Sequence, residues 1–167
     1  MTGDGTSLYL DSNRAQDADP QNDGHVAVFV QSASVSNEAW IGNINRTGVV
    51  TAKGVYWRGS SDTIFGNINF AGLLESDVYS GGATFAGVSR SDASTQTLRA
   101  QGADFTASFA SLSPSSDNLF VFARNDTDLG LDYSDATIAF YSIGTSLDLS
   151  KLDSHITAYV TAIGAAL

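Results

Sequence analysis

Up to residue 148 the chain is a succession of short apolar segments cut by clusters of Asp, Ser, Asn and Gly, and this spacing leaves little room for a helix that buries one face. The clearest segment is His25 to Gln31, where Val26, Val28 and Val30 alternate with Ala27 and Phe29. Apolar side chains then point to both sides of a pleated strand, so the strand is expected to be covered on both faces. Further strands are expected at 7–11, 38–44, 48–52, 54–58, 63–70, 83–90, 95–100, 105–109, 119–124 and 136–143. Turn clusters separate them at 17–24, 58–62, 80–82, 113–118 and 124–135. So many short strands, with no linker between them, call for two stacked antiparallel sheets in one domain spanning residues 1–167.

The period changes once, at the end. Leu149, Leu152, Ile156, Val160, Ile163 and Leu167 recur at spacings of three and four, which is the apolar stripe of a helix over about 149–166. Two caps compete for its start: Asp148, or a Ser150–Asp153 capping box.

Composition excludes several classes of function. There is no cysteine, hence no disulfide, thiol nucleophile or cysteine-ligated zinc. Eighteen acidic residues oppose eight basic ones, and no Lys/Arg cluster is present that would neutralise a row of phosphates, so nucleic acid is not an expected partner. No run approaches the ~18 apolar residues of a membrane-spanning helix, and membrane insertion is not expected. Met1-Thr2-Gly3-Asp4-Gly5 lacks the basic and apolar stretches of a secretory signal, which points to synthesis in the cytoplasm.

Four segments carry a resemblance. They are Gly3-Asp4-Gly5-Thr6-Ser7-Leu8-Tyr9-Leu10-Asp11-Ser12-Asn13, Gln21-Asn22-Asp23-Gly24-His25-Val26-Ala27-Val28-Phe29-Val30, Val88-Ser89-Arg90-Ser91-Asp92-Ala93, and Ile138-Ala139-Phe140-Tyr141-Ser142-Ile143-Gly144-Thr145-Ser146-Leu147 running into the helix. In this order they resemble the concanavalin-like (laminin G-like) modules of phage and phage-derived, gene-transfer-agent-like, fibre, spike and tail proteins. The resemblance implies an all-β, antiparallel two-sheet jelly-roll sandwich with one C-terminal helix. It also implies a place on a particle surface among other virion proteins, and attachment to a bacterial surface glycan. It transfers no catalytic residue.

A retaining glycosidase needs two carboxyls about 5 Å apart; Glu38 and Glu75 are the only glutamates and lie in different segments. A polysaccharide depolymerase is thus an alternative without a motif, and a decoration or adaptor protein of the virion is the other. His25, at the start of an apolar strand, reads as a hydrogen-bonded structural histidine. Sugar recognition combines an aromatic face against a pyranose ring with polar groups at its hydroxyls, and Trp40, Tyr56, Trp57, Arg58 and Asn43 are the candidates. For each tryptophan separately, burial in the core is the commoner fate. Asn43 and Asn45, and likewise Asn67 and Asn69, alternate so as to share one sheet face. Hard oxygen ligands suited to Ca²⁺ cluster at Asp17, Asp19, Asn22 and Asp23 and again at Asn125, Asp126, Asp128, Asp132 and Asp135. Asp126, Asp128 and Asp132 are the candidate ligands, although no EF-hand spacing is present and solvated turn aspartates are the commoner explanation. Ca²⁺ is the one cofactor the sequence brings into question.

Overall fold

The computed structural model describes residues 1–34, 37–58, 61–70, 72–79 and 81–166, with only the backbone of Arg58 and Ala166. The strands are β1 (Leu10–Ala15), β2 (Gly24–Ser32), β3 (Glu38–Asn45), β4 (Thr51–Arg58), β5 (Thr63–Ile68), β6 (Leu74–Val78), β7 (Thr84–Arg90), β8 (Thr95–Ala100), β9 (Ala103–Ser108), β10 (Asn118–Val121), β11 (Arg124–Asp126), β12 (Leu129–Leu131) and β13 (Thr137–Gly144). The helix is α1 (Leu149–Ala166). One sheet runs β1-β10-β3-β4-β5-β6 and the other β13-β2-β7-β8-β9. Pairing is antiparallel throughout except that β11, which forms a hairpin with β12, also pairs with β3 in parallel at Gly42 to Ile44. No described helix is long and apolar enough to cross a membrane.

Alternation decides what lies between the sheets. Val26, Val28 and Val30 of β2, Val88 of β7 and Leu98 of β8 face Ile41 of β3, Val55 and Trp57 of β4, Ile64 and Ile68 of β5 and Val121 of β10 in one core. The other side of β2 is covered as well: Ala27, Phe29 and Phe85 meet Leu149, with Leu152, Ile156 and Val160 packed around them. The helix therefore lies on the outer face of the smaller sheet. Gly87 lets it come close, since a Cβ there would lie 2.8 Å from that of Ala27 and 3.2 Å from the Leu149 side chain. Ile163 does not belong to the packed stripe and is exposed; Leu167 lies outside the described residues.

Several local expectations change for identifiable reasons. The first strand begins at Leu10, not at residue 7, because the Asp4 carboxylate accepts the amides of Thr6, Ser7 and Leu8 at 2.9, 2.8 and 2.8 Å and ties that segment into a turn. The segments 48–52 and 54–58 merge into β4, with Gly54 inside the strand. β6 was not foreseen, and the 124–135 cluster contains the β11–β12 hairpin. Of the turn clusters at 58–62 and 80–82, residues 59, 60 and 80 lie outside the described residues. Asp148 is the helix cap: its Oδ1 accepts the amides of Ser150 and Lys151 at 3.1 and 3.2 Å. Asp153 is instead drawn to Arg99 at 2.9 Å, so the Ser150–Asp153 box does not form.

One end of the sandwich is closed by polar groups. Lys53 projects inward from β4 and meets Asp19 at 2.9 Å, and Asp19 also pairs with Arg14 at 2.5 Å. Burial works to raise the Asp19 pKa, but Lys53 and then Arg14 outweigh it and leave the carboxyl below its ordinary value. Beside them Gln16 donates to Asn69 (2.9 Å) and accepts from Asn43 (3.1 Å). His25 closes the same region: Nδ1 meets the Thr145 carbonyl at 2.6 Å and Nε2 the Ser142 hydroxyl at 2.8 Å. Since a carbonyl only accepts, Nδ1 carries the proton and Nε2 accepts from Ser142.

Candidate cleft on the larger sheet

On β4, Lys53, Val55 and Trp57 point to the core side, which leaves Gly54 and Tyr56 on the outer face of the larger sheet. Tyr56 lies flat along that face. A Cβ on Gly42 would come within 2.3 Å of the Tyr56 hydroxyl and one on Gly54 within 2.4 Å, so the two paired glycines make the bed for the ring. The hydroxyl donates to the Asn43 carbonyl at 3.1 Å. Phe65, opposite Tyr56 in the β4–β5 register, stacks on it with centroids 4.9 Å apart and planes 16° apart.

These rings border a cleft of about 310 Å³ lined by Asn37, Glu38, Tyr56, Trp57, Phe65, Arg124 and Asp132. Arg124 enters from β11 and pairs through Nη1 with Asp132 at 2.8 Å. Nε of Arg124, in this lining, is buried without a hydrogen-bond partner, and so is Nε1 of Trp57, whose side chain points to the core. Orphaned buried N–H groups are rare in folded proteins and call for an acceptor. Glu38 is fully engaged from within: Trp40 Nε1 donates to Oε1 at 2.8 Å, and the Ser134 hydroxyl and Asp135 amide donate to Oε2 at 2.6 and 3.2 Å. Burial pushes its pKa up, against the pull of these donors.

The sequence candidates divide sharply. Trp57 and Tyr56 line the cleft, although Tyr56 is buried beneath its neighbours and offers no open face. Trp40 is fully buried and must be removed as a stacking residue; it packs edge-on against Tyr79 at 5.6 Å, and Tyr79 in turn meets Trp57 edge-on at 5.0 Å. Asn43 is also fully buried, donating to Gln16 and to the Asp117 carbonyl at 3.1 Å each and accepting the Lys53 amide at 3.2 Å. Asn69 is buried, accepting from Gln16 at 2.9 Å, and Asn67, buried too, donates to the Gly72 carbonyl at 3.3 Å, so the alternating amides do not form one open polar face. The side chain of Arg58 lies outside the described residues.

The calcium ligands do not converge. Asp126 pairs with Arg46 at 3.0 Å and Asp132 with Arg124, while the Asp128 amide donates to Asn125 Oδ1 at 2.7 Å. In the first cluster Asp19 is committed to Lys53 and Arg14, and Asp23 accepts the Ser146 amide at 2.7 Å. Among the described residues no group of three His, Cys, Asp or Glu side chains could hold a metal ion. Asp126, Asp132 and Asp19 each have a cation as partner and Asp23 an amide.

Phe65 and Arg124 were missed. Phe65 sits in an ordinary strand pattern, and only its pairing with Tyr56 across two glycines marks it. Arg124 opens a polar run that reads as a turn, and Asp132, its partner, lies eight residues on across the hairpin.

No family model matches the sequence, and no curated protein matches it in sequence. The fold does have solved counterparts. A NanB sialidase structure from Streptococcus pneumoniae is similar with a TM-score of 0.66 at 14% identity over 92% of this chain, which spans only 27% of that one. The Ruminococcus gnavus IT-sialidase CBM40 is similar with a TM-score of 0.67 at 12% identity, over 92% of this chain and 96% of that one. The mouse laminin α1 chain, domains LG4-5, gives 0.60 at 14% identity, over 89% of this chain and 42% of that one. With CBM40 and laminin G domains as its structural neighbours, the chain has the fold that its sequence segments resemble, a concanavalin-like jelly roll with one C-terminal helix.

Proposed function

We propose that this chain is a non-enzymatic carbohydrate-binding module whose site is the cleft between Phe65, Trp57, Arg124 and Asp132. The observation that carries the reading is the lining itself: a half-buried aromatic ring beside the buried Arg124 Nε–H without a partner and a partly exposed carboxylate. A sugar ring presents apolar C–H groups to such an aromatic and hydroxyl oxygens to such a donor. Two structures of the Ruminococcus gnavus CBM40, similar to this chain in fold, are described as bound to α2,3- and α2,6-sialyllactose, which supports a glycan as ligand here.

Binding without hydrolysis fits the carboxylates. Glu38 is closed in by three donors, and Glu75 stands on β6, three strands from β3, a backbone separation of roughly 14 Å at sheet spacing against the ~5 Å of a retaining pair. The phage or phage-like particle as carrier, bacterial surface polysaccharide as target and other virion proteins as neighbours rest on the sequence resemblance. A glycan array and calorimetry on bacterial surface polysaccharides test the site. Phe65→Ala is expected to lower affinity about tenfold, the equivalent of ~1.4 kcal/mol, with the fold intact by circular dichroism. A folded protein that binds no polysaccharide would replace this reading with the adaptor one, and shortening of the polysaccharide would replace it with a depolymerase. Mass spectrometry of purified particles tests the carrier.

A further inference from the structure

Resting on the glycan reading of the cleft, we infer that Arg124 and Asp132 work as one unit that grips two neighbouring hydroxyls of an uncharged sugar ring, and that the cleft turns away sugars bearing a carboxylate. The guanidinium does not reach the cleft as an open cation. Its Nη1 is held by Asp132 at 2.8 Å, and that carboxylate is the one charged partner given to it among the described side chains. Of its remaining N–H groups, the Nε–H is buried and without an acceptor. The Asp132 side chain is 40% exposed and that of Arg124 19%, so ligand has access to the carboxylate as well as to the guanidinium.

A ligand carboxylate seated on Arg124 would bring a second anion beside Asp132 or would have to displace it, and like charges at such range oppose each other. The lining adds no second cation among its described side chains, and its carboxyl groups are Asp132 and Glu38. A hydroxyl suits the pair better, since it accepts and donates at once. One ring hydroxyl can accept from Arg124 Nε while its neighbour donates to Asp132, and a pair of adjacent hydroxyls carries both roles at the spacing of the ion pair. Phe65 then meets the C–H face of the same ring.

The test uses the whole chain on an array of neutral oligosaccharides and their acidic counterparts, with lactose and α2,3-sialyllactose as one matched pair. Titration calorimetry on the best ligands follows, for wild type, Asp132→Asn and Arg124→Lys. The leading ligands are expected to carry no carboxylate, and Asp132→Asn to weaken them about tenfold, as for loss of one strong hydrogen bond. Arg124→Lys keeps the charge but loses the planar fork, and is expected to weaken them as well. An array led by carboxylated sugars, or an Asp132→Asn protein that keeps full affinity for the neutral ligands, would overturn the inference while glycan binding stands; a gain of affinity for α2,3-sialyllactose in Asp132→Asn is the expected result, since the carboxylate that opposes the acidic sugar is gone. Absence of binding to any glycan would overturn the underlying reading and the inference with it. Should either variant melt early, the wild-type array alone decides between neutral and acidic ligands.

Discussion

Gly54→Ala is the substitution that most directly tests how the cleft is built. The new Cβ would lie 2.4 Å from the Tyr56 hydroxyl, 2.5 Å from its Cζ and 2.7 Å from the Ile41 carbonyl oxygen. The first two contacts are relieved only if the ring lifts off the sheet, and the third belongs to the backbone of β3. Overpacking of this kind costs about 1–3 kcal/mol. Loss of glycine from the unfolded chain returns about 0.4–1 kcal/mol, so a net loss of about 1.3 kcal/mol is expected. For a domain of this size that corresponds to a fall in Tm of roughly 3–5 °C. Gly82→Ala is the control, because a Cβ there meets nothing within 4 Å. Differential scanning calorimetry measures both, and a cycle with Tyr56→Ala should show non-additivity, since removing the ring removes two of the three clashes. A Gly54→Ala protein that melts with wild type would refute the account of Tyr56 lying on this glycine. It would also undermine the Phe65 wall that depends on the ring beneath it.

Three further outcomes are expected. Asp19→Ala leaves Lys53 buried without its partner and should cost about 3–5 kcal/mol in urea unfolding at neutral pH; Asp19→Asn combined with Lys53→Met should recover much of it, and an additive double variant would count against the pair. Burial pushes the His25 imidazole below its ordinary 6.5, so the unfolded chain takes up the proton first. That contribution to stability is complete above about pH 6.5 and is lost as pH falls through the folded value; His25→Gln should flatten this part of the stability profile, and an unchanged slope between pH 7 and 5 would contradict it. Ile156→Asp places a charge against the Phe29–Phe85 side of the smaller sheet and should cost roughly 2–3 kcal/mol, read as a lower urea midpoint.

The features legible in the sequence are those that depend on neighbours along the chain. The two-sided burial of β2 follows from five consecutive apolar residues, and the helix follows from its period of three and four. The packed stripe ends at Val160 and Ile163 is exposed, which the period alone cannot show. The capping question turned on Arg99, fifty-four residues before Asp153 and on a different element, which takes the carboxylate the capping box would need. Asn43 reads as a surface amide by alternation, yet it faces Gln16 from a loop between β1 and β2 and is sealed by Asp117.

The cleft was half legible for the same reason. Tyr56 and Trp57 stand out as adjacent aromatics on a strand, and alternation places one on each side of the sheet. Whether the outward one is open depends on what lies over it, and here Phe65 from the next strand and Arg124 from a hairpin cover Tyr56. The residue proposed to meet ligand in this arrangement is the covering one. A ring lying flat on two glycines is a support, and the ring stacked on it inherits the exposed position. Gly42 and Gly54, paired across β3 and β4, are therefore the sequence features that fix the cleft wall, since side chains at those places would raise Tyr56 and displace Phe65. Their role appears only when the register between strands is known, because neither is at a turn and neither has an unusual backbone angle.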